Sequence, residues 1–136
     1  MWKVKSPCFG DHIRVCRGMY YHHGIYASDD CVIHFASEKQ TDRIDPTDAK
    51  IISTNLDRFL MGGILEVKEY NEVKRSPSEV VNYAFMQIGT RSGTYNLVSN
   101  NCEHFASECV LGVKKSEQVE DVLSMLFGGR RIWDLV

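Results

Sequence analysis

From His12 to Ala36 the apolar residues come in short blocks rich in β-branched and aromatic side chains, the pattern of half-buried or buried strands. His12-Ile13-Arg14-Val15-Cys16, Met19 to Ala27 and Cys31-Val32-Ile33-His34-Phe35 are predicted as strands, with turns at Gly18 and at Ser28-Asp29-Asp30. Residues 37 to 50 are polar, contain Asp45-Pro46 and read as a surface loop long enough to border a site. Asn55 then caps a short helix over Leu56 to Met61, closed by Gly62-Gly63, and Ile64 to Tyr70 alternates as a strand.

Beyond residue 75 the period changes to that of a helix. Ser76-Pro77-Ser78-Glu79 joins an N-cap serine, proline at the first helical position and a glutamate three residues after the cap. Val80, Val81, Ala84, Phe85 and Ile88 follow at helical spacing up to Gly89. Tyr95 to Val98 is predicted as a short extended segment, and Asn100 or Asn101 as the cap of a helix from Cys102 to Leu111 stopped by Gly112. A last amphipathic helix, capped by Ser116, carries Val119, Val122, Leu123 and Leu126. Strands first and helices mostly afterwards give an α+β class.

The 136 residues, 43% of them apolar, suit one domain with one core. Sixteen basic against eighteen acidic residues leave no global field to draw nucleic acid, so no nucleic-acid partner is expected. Five cysteines without a Cys-x-x-Cys pair fit neither a disulfide framework nor a zinc ribbon, and reduced thiols in a cytoplasmic compartment are expected. No signal-peptide or membrane-spanning stretch is visible, which points the same way. Cys8, Cys16, Cys31 and Cys109 are expected to be packing residues.

Candidate chemistry concentrates at Asn101-Cys102-Glu103-His104-Phe105 with His22 and His34 upstream. A neutral thiol is a weak nucleophile, so a chain that uses one needs a base, an orienting group and a site favouring thiolate. On a helix starting near Cys102, positions 102, 105, 106, 109 and 110 share one apolar face, which aims the thiol toward the strands. A place in the first turn lowers a thiol pKa by about 1.5 units at most, so an adjacent imidazolium is wanted as well. For His22 and His34 to share one side of their hairpin, paired residue numbers must sum to an even value, which requires a three- or five-residue loop or a bulge. His104, about 200° round the helix from Cys102, faces elsewhere and is read as structural.

These residues carry a resemblance. Tyr20-Tyr21-His22-His23-Gly24-Ile25-Tyr26, then His34, then Ser99 to Phe105 resemble the lecithin:retinol acyltransferase family, which includes the small phospholipase A/acyltransferases. The likeness runs from Pro7-x-x-Gly10-Asp11 to Gly112, so a core of about residues 7 to 112 is implied, with a C-terminal helix and tail over 116 to 136. It implies a circularly permuted, papain-like fold of the NlpC type, with an antiparallel sheet packed against helices. It further implies Cys102 as nucleophile, His22 as general base and His34 as the group orienting it, with Asn101, Tyr20 and His23 as candidates for support. In that family a phospholipid or other acyl donor gives its acyl group to the thiol, and water, an amine or an alcohol accepts it. Many relatives carry an aromatic residue where His23 stands.

Other readings of the same residues stay open. Cys102 can be a small buried hydrophobe and His34 a satisfied core histidine. Cys102, His22 and His34 also have zinc-ligand chemistry, although a helix-start thiol already accounts for the set and no cofactor or metal is expected. A cysteine peptidase or amidase of the NlpC type would use the same three groups, and a noncatalytic interaction module could keep them as architecture. With a lipid donor, the expected location is cytoplasmic with transient contact at a membrane surface. Arg130-Arg131-Ile132-Trp133 is the candidate for such contact, against its reading as a solvated tail.

Overall fold

The alternating segments become one antiparallel sheet in the computed structural model, which describes residues 1–37, 47–96 and 101–112. Six strands, β1 (Trp2–Lys3), β2 (His12–Cys16), β3 (Tyr21–Ser28), β4 (Cys31–Ala36), β5 (Lys50–Thr54) and β6 (Leu65–Lys68), lie in the order β1-β6-β2-β3-β4-β5. Three helices accompany them: α1 (Leu56–Leu60), α2 (Pro77–Gln87) and α3 (Cys102–Leu111). The α+β class holds.

Two strands were not expected. Neither β1 nor β5 has a run of its own that alternates over enough residues, and each is held by pairing, β1 on β6 and β5 along the whole of β4. The strand expected over Ile64 to Tyr70 shortens to Leu65–Lys68, the part with partners in β2 and β1. The helix closing at Gly62-Gly63 ends one residue sooner, with Met61 itself in the left-handed conformation at φ 48°. The predicted helix over residues 116 to 126, most of the loop from 37 to 50 and residues 97 and 98 lie outside the described residues.

Caps written in the sequence are made in the structure. The Ser76 hydroxyl accepts from the Glu79 N–H while Glu79 returns to the Ser76 N–H, a reciprocal box around Pro77. Asn101 rather than Asn100 caps α3, and Gly112 closes it at φ 83°.

Alternation sorts the sheet into two faces. Ile25, Ile33, Phe35 and Ile51 point to α2 and α3 and form the larger core with Val81, Ala84, Phe105 and Cys109. Ile13, Val15, Val32 and Val67 point the other way, onto Phe59 of α1. The intended face of α3 is buried as expected, yet Glu103, His104 and Ser107 on its remaining sides are buried too.

Candidate active site

His22 and His34 reach each other across the β3–β4 hairpin. Gly24 pairs with His34, Ile25 with Ile33 and Tyr26 with Val32, all even sums, and a register shift between Tyr26 and Ser28 absorbs the odd turn at Asp29-Asp30. His22 Nε2 then lies 2.8 Å from His34 Nδ1, and His34 Nε2 lies 2.9 Å from the Thr54 hydroxyl on β5. Phe59 closes over both rings, with centroids 5.1 Å from each, edge-on to His34 and tilted to His22. Gly24 makes room for it, since a Cβ there would stand 2.9 Å from Phe59 Cε2.

Cys102 starts α3, with its sulfur at the backbone edge of β3. Sγ is 3.8 Å from the Tyr21 carbonyl oxygen, and the His23 backbone N–H is directed at it. These two peptide groups flank His22. His22 Nδ1 is buried and has no hydrogen-bond partner among the described residues. The ring next in sequence is engaged elsewhere: His23 Nδ1 lies 2.8 Å from His12 Nε2, and His12 Nδ1 lies 2.5 Å from the Tyr70 hydroxyl. His23 therefore faces the α2–α3 side with Ile25, packed edge-on to Trp2.

Asn101 holds the helix start by accepting from the His104 N–H at 2.9 Å, and His104 Nδ1 accepts from the Asn101 N–H at 3.3 Å. His104 is thus the second half of a capping box, the structural role that its position round the helix suggested. The Tyr20 carbonyl closes the β2–β3 turn by accepting from the Arg17 N–H. One further group stands at the sulfur that sequence spacing did not signal. The Tyr95 hydroxyl approaches to 4.0 Å from Cys102 Sγ, and its ring packs edge-on against Phe35. Seven residues separate it from Cys102, and no periodic pattern links the two.

The electrostatics differ from the expectation at the thiol. Burial pushes Cys102 up to about 11, outweighing the His23 N–H, the Tyr95 hydroxyl and the Glu103 N–H that favour thiolate. Burial also holds His22 well below 6.5, helped by the repulsion that a second proton on the pair with His34 would meet and by the charge of Arg17, and brings His34 down to about 3. The resting pair is a neutral thiol and a neutral imidazole, because the desolvation of two ions exceeds what one helix turn returns. The other cysteines divide: Cys109 is buried and Cys31 half-buried, while Cys8 and Cys16 are exposed rather than packed. Cys16 closes β2 with its sulfur turned to the Gly18 carbonyl, away from either core.

Comparison with known proteins gives the family of the chain. The family model described as Lecithin retinol acyltransferase matches residues 5–115, most of the chain. The chain belongs to the lecithin retinol acyltransferase family. It is 31% identical to human "Phospholipase A and acyltransferase 3" over 131 residues, covering 88% of this chain and 80% of that one. Human "Phospholipase A and acyltransferase 2" is 29% identical, with 83% and 76% covered. Rat "Lecithin retinol acyltransferase" is 28% identical, with 88% of this chain and 61% of that protein covered. The names of these family members support lipid acyl transfer as the general activity. Among the described residues no helix is long and apolar enough to cross a membrane.

Proposed function

We propose that this chain transfers an acyl group from a lipid ester, a phospholipid in the first instance, through a thioester on Cys102. The observation that supports the reading is the Nδ1 of His22, a buried imidazole nitrogen with no hydrogen-bond partner among the described residues, on the residue whose two chain neighbours turn peptide groups to the Cys102 sulfur. As the ester carbonyl arrives, the Cys102 S–H proton passes to His22 Nδ1 and sulfur attacks the carbonyl carbon. Charge on the carbonyl oxygen is received by the Tyr95 hydroxyl and N–H groups of the first turn of α3. The tetrahedral species collapses with cleavage of the C–O bond, and the proton on His22 goes to the departing lysolipid oxygen. Water, an amine or an alcohol then gives its proton to His22 and attacks the thioester carbon, the C–S bond breaks, and the proton returns from His22 to sulfur, which releases the acylated product and restores the thiol. His34 holds the base by meeting His22 Nε2 with its Nδ1. In this reading the strands with the histidines precede the cysteine helix, the order of a circularly permuted NlpC-type fold, and the unit is one domain.

Intact-mass spectrometry after incubation with phospholipid tests it. A mass increase of one acyl group is expected on the wild type and none on Cys102→Ala. Absence of both adduct and released fatty acid, together with cleavage of a peptide or amide substrate, would replace this reading with that of an NlpC-type amidase.

Access to lipid is proposed at the same end of the sheet. Met19, Met61 and Ile64 are 99%, 46% and 69% exposed. They belong to the β2–β3 turn and to the segment after α1, and Arg17 of that turn donates to the Phe59 carbonyl of α1. Cys16 pairs with Tyr21 at this rim, so it adjoins the sulfur, and Arg17 and Arg58 add positive charge. Burying one such side chain in a bilayer is worth about 1.5–3 kcal/mol. Ile64→Glu is therefore expected to weaken co-sedimentation with phosphatidylcholine/phosphatidylglycerol vesicles by roughly tenfold or more. Unchanged vesicle binding in Met19→Glu and Ile64→Glu would remove this rim from the account.

A further inference from the structure

We infer that Thr54 is a positioning residue that selects the tautomer of the His34–His22 pair and so leaves His22 Nδ1 unprotonated, deepening the acyl-transfer reading on which it rests. The Thr54 hydroxyl has two hydrogen-bond neighbours among the described residues: it donates to the Asn55 carbonyl at 3.2 Å and meets His34 Nε2 at 2.9 Å. A hydroxyl carries one proton. With that proton on the Asn55 oxygen, Thr54 can only accept from His34, so His34 carries its hydrogen on Nε2. Neutral His34 then has a lone pair on Nδ1, and the 2.8 Å contact requires His22 to donate from Nε2. Neutral His22 is left with its lone pair on Nδ1, the nitrogen that has no other partner among the described residues. Turning the hydroxyl over would reverse every step and put a hydrogen on His22 Nδ1, where it could not take a proton from a thiol.

The arrangement is anchored outside the rings. Asn55 caps α1, with its carbonyl also accepting from the Phe59 N–H and its side chain accepting from the Arg58 N–H. The acceptor that fixes the Thr54 proton is thus part of the helix that carries Phe59 over both imidazoles. Burial keeps both rings neutral, which is the condition for a tautomer to be selected at all.

The test pairs nitrogen-15 NMR of the imidazoles with steady-state kinetics. In the wild type, His22 is expected to show an unprotonated Nδ1 and a protonated Nε2. Thr54→Val, which keeps the shape and removes the hydroxyl, is expected to give mixed tautomers at His34 and His22, with kcat lowered by about 10- to 100-fold and KM unchanged. Thr54→Ser is expected to restore both. A protonated Nδ1 on wild-type His22, or Thr54→Val with wild-type tautomers and kcat within about twofold, overturns the inference. Should Thr54→Val not fold, Thr54→Ser and the wild-type spectrum still decide it, since a serine that fails to keep the tautomer also overturns the role. A wild type with the expected tautomer that is never acylated would leave Thr54's role standing and remove the acyl-transfer reading alone.

Discussion

Substituting His22 by Gln is expected to lower kcat by roughly 10²–10⁴-fold while KM stays near its wild-type value, because in the proposed mechanism its general-base assistance acts in the transition state and not on lipid binding. Glutamine keeps much of the volume under Phe59, so the loss reports chemistry rather than packing. The pH profile of the wild type gives the second half of the prediction. The base must be unprotonated, and burial holds its pKa well below 6.5, so the acid limb of kcat/KM should fall only below pH 6.5. The thiol, pushed up to about 11, stays protonated through neutrality, so no alkaline loss from Cys102 ionisation is expected between pH 7 and 9. A profile rising steeply over pH 7 to 9 in step with thiol ionisation would show that a free thiolate, not a base-assisted thiol, is the attacking species. Retention of full kcat in His22→Gln would remove His22 from the base role.

The second large effect is on stability. Four imidazoles, His12, His22, His23 and His34, are buried, and burial lowers the pKa of each in the fold. The sign follows from proton counting: below 6.5 the unfolded chain binds protons that the folded chain refuses, so stability present above pH 6.5 is lost as pH falls. Between pH 7 and pH 5 a fully depressed imidazole contributes a loss of about 2 kcal/mol, and all four act in the same direction. Even one or two such losses are a large fraction of the stability of a typical domain. Chemical denaturation at pH 7 and pH 5 should therefore show a collapse of unfolding free energy. Equal stability at the two values would mean that these rings protonate within the fold. A double variant, His12→Phe with His23→Phe, should lose about half of the pH dependence, while Cys102→Ser should keep all of it.

Much of the fold could be read from residues whose signals are local. The caps at Asn55, Ser76 and Asn101, the strand His12–Cys16 and the parity of the β3–β4 hairpin each depend on neighbours within a few positions, and all appear as the sequence implies. β5 did not declare itself, because Lys50–Thr54 is defined by pairing with β4 and its short alternation is indistinct beside a loop. The site divides along the same line. Cys102, His22 and His34 stand in dense motifs, whereas Tyr95 and Thr54 reach the site only through tertiary contact. The thiol's burial, which reverses the expected pKa shift, is likewise a property of the assembled core and of no segment within it.

The helix that carries Cys102 has eight of its ten residues buried, among them Glu103, His104 and Ser107. An element so enclosed behaves as an axle: almost any change along it disturbs both the core and the aim of the sulfur. Changes that leave this helix undisturbed are therefore those in its surroundings, the turn at Met19, the segment after α1 and the contact at Tyr95. Engineering of a new acyl acceptor would start from those three places and keep α3 intact.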